Sequence, residues 1–211
     1  MIASFLEGLP NWTNYEVLPG SAICFHGCDR SVGEALINQN QEQKHLLPSV
    51  NDYDWLGTGI YFWELNPLRA LQFAEERAQG GKNSRGTIQN PFVVGAVINP
   101  SRTLNLADAG ALLQVKRAYN VLRRTSELNG QTLPSNGSGL RARRLDCLVF
   151  NLLHELREAE GLPAYDSVRG LFWEGDELYP GAGMREADHV QICVRNPNRI
   201  LGYFGPIENG S

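Results

Sequence analysis

Ala22-Ile23-Cys24-Phe25-His26-Gly27-Cys28, followed after a polar gap by Trp55-Leu56-Gly57-Thr58-Gly59-Ile60-Tyr61-Phe62-Trp63, reads as two short apolar strands. Each carries a chemically capable side chain beside glycine, and glycine is what lets a backbone approach a flat polar ligand closely. The pair reads as a nucleotide pocket.

Outward from these strands the chain alternates in type. Ser21 to Phe25 is expected as a buried strand, Val32 to Asn38 as a short helix with Ala35 and Leu36 inward, Gln39 to Asp54 as a polar loop, and Gly59 to Trp63 as a second strand. Asn66-Pro67 joins an N-cap residue to a proline at the first helical position and predicts a helix to about Ala78. Phe92 to Ile98 forms a strand between Pro91 and Pro100. Leu112, Val115, Tyr119 and Leu122 recur at helical spacing across Asp108 to Leu128, and Asn129 to Gly139 is a connector. Leu145, Leu148, Val149, Leu152, Leu153 and Leu156 mark a helix that stops at Gly161.

The remainder turns to strand: Ser167 to Trp173, His189 to Val194 and Ile200 to Phe204, around the turn-rich Glu174-Gly175-Asp176-Glu177 and Pro180-Gly181-Ala182-Gly183. A period of two puts Val190, Ile192 and Val194 on the core face of the second of these and turns Gln191 and Cys193 toward an open cleft. The fold class is α+β, with two helices interrupting a mostly antiparallel sheet.

At 211 residues and 42% hydrophobic the chain is expected to be one domain, 1–211. A net charge of -4 and a pI near 5.6 lack the footprint of a dedicated nucleic-acid binder, although Arg141, Arg143 and Arg144 form a local basic cluster. No segment approaches the ~20 apolar residues of a membrane span, and the first residues show no basic, apolar leader. The expectation is a cytoplasmic protein, or one exported without a cleaved signal. Four scattered cysteines make no disulfide framework. Cys24, His26 and Cys28 share a strand face, but with no CxxC nearby the expectation is no metal. His45 and His154 are expected to face solvent or cap, and Asp146 and Glu155 to lie on a solvated helix flank.

His26-Gly27, then Gly57-Thr58-Gly59-Ile60-Tyr61-Phe62 before a helix, then His189-Val190-Gln191-Ile192-Cys193-Val194-Arg195-Asn196-Pro197 running into Ile200-Leu201-Gly202-Tyr203-Phe204, resembles the histidine-tyrosine class of ADP-ribosyltransferases. That class contains diphtheria toxin and the poly(ADP-ribose) polymerases, and the likeness is to its small bacterial members, from about Ser21 to Phe204. It implies an ADP-ribosyltransferase-like fold, a split sheet with inserted helices, and NAD as co-substrate.

By the same resemblance Gly27 holds the nicotinamide carboxamide through its backbone, His26 fixes the adenosine-side ribose, and Tyr61 stacks on the nicotinamide with Phe73 as a second aromatic; Gly57 and Gly59 belong to the cofactor site. The implied acceptor is a macromolecule, a protein rather than a nucleic acid, and a toxin role implies an immunity or antitoxin partner. Taken singly, each residue has a plainer reading: a buried histidine, a turn, core aromatics.

The departure is Gln191, where most active members carry a glutamate whose charge stabilises the developing ribosyl cation. An amide accepts a hydrogen bond without supplying charge. A nearby carboxylate is then needed, and Glu174 is the first candidate, ahead of Glu186 and Asp188, with an exposed turn acid as its alternative. Arg169 is a candidate diphosphate clamp, its alternative being a pair with Asp166 or another surface acid. Three activities remain open: ADP-ribose transfer, NAD hydrolysis, and NAD or ADP-ribose binding without turnover.

Overall fold

The computed structural model describes residues 7–8, 13–38, 45–80, 88–138 and 142–207. Its strands are β1 (Val17–Leu18), β2 (Ala22–Asp29), β3 (Ile60–Glu64), β4 (Pro91–Ile98), β5 (Ser101–Asn105), β6 (Ser167–Phe172), β7 (His189–Val194) and β8 (Ile200–Phe204). Its helices are α1 (Arg30–Asn38), α2 (Pro67–Ala78), α3 (Ala109–Leu128) and α4 (Arg144–Ala159). The strands form one sheet in the order β1-β5-β6-β7-β3-β2-β4-β8, antiparallel except for the parallel pair β5 and β6.

Local sequence accounts for several boundaries. The Asn66 side chain accepts from the Arg69 amide at 3.0 Å with Pro67 at the first position, so α2 begins where the sequence predicts. Asp108 caps α3 likewise, accepting from Ala111 at 2.8 Å. Each such cap is worth about 1 kcal/mol. Strand β5 escaped the sequence reading because Thr103 breaks its apolar pattern. Thr103 is nevertheless buried, its hydroxyl donating to the Pro100 carbonyl and meeting the Ser167 hydroxyl at 2.8 Å.

Both faces of the sheet are covered. Cys24, Ile60, Phe62, Ile192 and Val194 form one core with Leu36 and Leu46. On the other face Leu56, Val168 and Cys193 pack with Ala118, Phe150 and Leu153 of α3 and α4. Phe25, Trp63 and Ala70 make a third cluster beneath α2. Helix α2 lies directly on β2: a Cβ at position 27 would collide with the Ala70 carbonyl oxygen, so only glycine fits.

Several expectations need correction. All four helices read segment by segment occur among the described residues, so two helices interrupting the sheet is an undercount. Gln191 and Cys193 do not face an open cleft: both are buried, Cys193 in the core beneath α3 and α4 and Gln191 beside Trp63, which packs with Ala70 of α2. Leu112 and Leu148 point outward, 52% and 42% exposed, because each helix has only one covered face. His154 is not solvent-facing; it packs edge-on against Tyr165 at 6.2 Å, and burial, reinforced by Arg195 and Arg157, pushes its pKa down to about 3. His45 is half-buried beside the Tyr203 ring. Asp146 is not merely solvated, since it accepts from Asn136 at 2.9 Å. Arg141 lies outside the described residues, while Arg144 pairs with Asp52 at 3.1 Å. No helix among the described residues is long and apolar enough to cross a membrane.

Candidate functional site

Within the sheet's centre the join between β2 and β3 is short. Their ladder holds only Cys24↔Glu64 and Phe25↔Trp63, whereas β2 stays paired with β4 as far as Asp29↔Pro91 and β3 with β7 as far as Ile60↔Val194. The Leu65 amide donates to the Ile23 carbonyl at 3.0 Å, so in antiparallel alternation Ile23, Phe25 and Gly27 direct their backbone polar groups toward β3. Gly27 is the first of these beyond the last registered pair. Its natural partner there is the Tyr61 carbonyl, which accepts instead from His26 Nδ1 at 2.7 Å. A carbonyl only accepts, so Nδ1 carries the proton; burial holds the imidazole pKa below its ordinary value despite that bond.

Tyr61 is fixed at its far end. Its hydroxyl donates to the Gly57 carbonyl at 2.6 Å and accepts from the Leu56 amide at 2.9 Å. Gly57 adopts φ 79°, the left-handed conformation that turns this carbonyl back onto the phenol. Burial raises the Tyr61 pKa well above its usual value, so the ring stays neutral. Gly59 serves packing: any Cβ there would run into Cys193 and the Val194 carbonyl.

Register sorts the side chains by face. Tyr61 pairs with Cys193 and Trp63 with Gln191, so all four share a face, which Gly27 and Phe25 continue on β2. His26 lies on the other, with its ring 5.7 Å from that of Phe62. The His26 and Tyr61 side chains therefore lie on opposite faces of the sheet and meet only through the Tyr61 carbonyl. Phe73 stands beside Trp63, ring centroids 5.0 Å apart.

Gln191 makes no side-chain hydrogen bond among the described residues and lies among polar groups that the sequence did not reveal. Arg69 of α2, 9% exposed, pairs with Glu174 at 3.0 Å and with Glu76 at 3.3 Å. His189, two residues before Gln191 on the same face, has Nδ1 2.7 Å from the Ala187 carbonyl and 3.7 Å from Glu174 Oε2. Glu174 is therefore not a free turn acid. Asp188 accepts from the amides of Glu174 and Arg185 and so staples this loop, while Glu186 is exposed. The parity that singled out Gln191 applies equally to His189; nothing local marked Arg69 or Trp63.

Arg169 is occupied elsewhere. Its Nε donates to Glu64 at 2.7 Å and its Nη1 to Asn105 at 3.4 Å, at an open groove also lined by Leu18, Ala22, Ile23 and Leu65. It does not pair with Asp166, which holds Arg199 at 3.0 Å and Asn196 at 2.7 Å. The four cysteines are free and buried, and no group of three or more His, Cys, Asp or Glu side chains suited to a metal ion occurs among the described residues.

The chain matches no protein-family profile and no solved structure. It is similar to an uncharacterized protein of Methanocaldococcus jannaschii, 25% identical over 194 residues that cover 83% of each chain. That relative's name carries no activity.

Proposed function

We propose that this chain is an NAD-dependent mono-ADP-ribosyltransferase that breaks the nicotinamide–ribose bond and passes ADP-ribose to a macromolecular acceptor. The carrying observation is the short seam: the Gly27 backbone lies past the last registered β2–β3 pair, His26 is locked on one side through Tyr61's own carbonyl, and Tyr61 on the other through Gly57 and Leu56. A flat amide-bearing ring needs a backbone donor–acceptor edge and an aromatic plate, and this seam offers both. The ADP-ribosyltransferase-like split sheet belongs to the same proposal; the two-pair join between β2 and β3 supports it.

The reaction makes the ribose cationic as neutral nicotinamide departs, so a carboxylate near the sugar lowers the barrier. Gln191 cannot supply it. Glu174, held by Arg69 and beside His189, is the carboxylate on this side of β7, and we assign it that electrostatic role. Arg169 remains a phosphate ligand only if it exchanges Glu64 for a diphosphate. A second reading, an NAD or ADP-ribose sensor without turnover, is favoured by the uncharged Gln191 amide alone.

Calorimetric titration with NAD and chromatographic measurement of released nicotinamide test both. Binding with release supports transfer or hydrolysis, and a labelled acceptor distinguishes the two. Binding without release supports the sensor. No binding at millimolar NAD removes the proposal. Tyr61→Ala should weaken NAD affinity, and Gln191→Ala should lower the catalytic constant more than the affinity.

A further inference from the structure

Three polar atoms of the Glu174 cluster are buried without a protein partner among the described residues: Trp63 Nε1, Arg69 Nε and His189 Nε2. Their side chains adjoin: the Arg69 guanidinium carbon lies 6.0 Å from the Trp63 ring, and the Trp63 and His189 rings are 6.3 Å apart. Leaving such an atom unsatisfied costs about 1–3 kcal/mol, so three together indicate groups kept for something that enters the site.

His189 is the one whose chemistry is fixed. The Ala187 carbonyl only accepts, so Nδ1 is the protonated nitrogen of the neutral ring and Nε2 presents a bare lone pair. The ring is stacked on Phe172 at 5.5 Å and Trp55 at 6.1 Å, and its side chain is 1% exposed. The charged groups around it come from four places: Glu174 after β6, Asp188 before β7, Arg69 from α2, and Arg143 before α4, whose guanidinium lies 4.2 Å over Trp55 and 5.0 Å over Phe172. Burial lowers the imidazole pKa, with Ala187 and Glu174 opposing, so the ring is unprotonated at neutral pH.

We propose that His189 is the general base of this site and that the acceptor is a hydroxyl group, of a protein side chain or of water. The inference rests on the NAD-cleaving reading above. In the step, the ribose–nicotinamide bond breaks with its electron pair going to the ring nitrogen, and the acceptor oxygen bonds to the anomeric carbon. The hydroxyl proton passes to Nε2. The resulting imidazolium keeps its Nδ1–H on Ala187 at 2.7 Å and gains the Glu174 carboxylate at 3.7 Å as counter-charge. A nitrogen this enclosed admits a small donor such as a hydroxyl. A carboxylate acceptor carries no proton at neutral pH and gives Nε2 nothing to do.

The test combines nicotinamide release from NAD, the pH profile of the native protein, and the chemistry of any adduct it forms on itself. Native turnover should fall on the acid side through a single ionisation lying below the ordinary histidine value. His189→Asn, which keeps a donor for Ala187, should lose roughly a hundredfold in turnover and lose that ionisation, with NAD affinity retained. Adducts should resist neutral hydroxylamine, or water should be the sole acceptor. Full turnover in His189→Asn, a native profile without the acid limb, or hydroxylamine-labile esters each overturn the role of His189 alone. Failure of the native protein to cleave NAD overturns this inference and the transferase reading together, whereas binding without cleavage leaves the sensor.

Discussion

Two clusters of buried polar side chains, one around Glu16 and one around Glu174, differ in how completely they satisfy themselves. Arg157, with no exposed surface, donates to the Pro163 carbonyl at 2.6 Å, to Glu16 at 2.6 and 3.3 Å, and to Gln114 at 3.4 Å. Glu16 also accepts from Arg102 at 2.9 Å and from the Tyr165 hydroxyl at 2.8 Å. Burial alone would raise the Glu16 pKa, yet hydrogen bonds from Arg157, Tyr165 and Arg102 bring it below the usual carboxylate value. That network is closed. The Glu174 cluster, whose carboxylates reach water, leaves an indole, a guanidinium and an imidazole nitrogen buried without protein partners among the described residues. A closed network tethers the short 3-10 turn Thr13–Glu16 to α3 and α4; an unfinished one is built for a visitor.

Substitution should expose the contrast most strongly in stability. Arg157→Ala removes the fully buried centre of the network, leaving Glu16 to Arg102 and Tyr165 and the Pro163 carbonyl without its donor, and should cost about 3–5 kcal/mol in urea unfolding. Arg69→Ala should cost about 1 kcal/mol or less, because Glu174 and Glu76 both reach water, 22% and 64% exposed. Equal costs would break the comparison.

Gly27→Ala tests the seam itself. The added methyl meets the Ala70 carbonyl, and the forced shift of α2 should cost about 1–3 kcal/mol, read as a lowered midpoint of thermal unfolding. Since the seam is part of the proposed site and not of the Glu16 network, NAD binding should weaken alongside.

Acid should act on the buried histidines before it acts on the Glu16 network. His154 has a folded pKa near 3 against 6.5 unfolded, so the unfolded chain binds its proton first. Its contribution is full above about pH 6.5 and is lost as pH falls toward 3; His26 and His189, also depressed, act in the same direction. The Glu16 network follows only below the ordinary carboxylate value of 4.5, since its depressed pKa protects it. Denaturant unfolding across this range should show His154→Leu flattening the upper part of the curve and leaving the lower part. A flat native curve between pH ~7 and ~5 would remove the histidine contribution.

The smallest expected effect is that of Glu174→Gln. It should leave stability within about 0.5 kcal/mol, the carboxylate being partly solvated, while lowering nicotinamide release. A large stability loss without a kinetic one would make the Glu174 cluster a second structural network.

Much of the fold was legible because its determinants are local. Strands β7 and β8 were read to the residue from alternation and flanking turns, and α2 from Asn66-Pro67. Those signals act within a few positions. His26, Gly27, Tyr61 and Gln191 stood out for the same reason, each beside glycine or on a clear strand parity. Strand β5 was not legible, since burial of Thr103 depends on a hydroxyl 64 positions away. Arg69 was missed because a charged residue in an amphipathic helix looks solvated, and only the Glu174 loop, 105 positions on, encloses it.

The chain by itself determined where most strands and helices begin and which side chains share a strand face, because sterics and hydrogen bonding between near neighbours settle these; the need for glycine at 27 and 59 came from distant contacts with Ala70 and Cys193. Tertiary structure alone decided that Arg169 turns to Glu64, that the face of Gln191 is covered, and which buried nitrogens are left unmatched. Partner choice depends on which distant surfaces meet when the sheet folds, and no short-range pattern encodes that meeting.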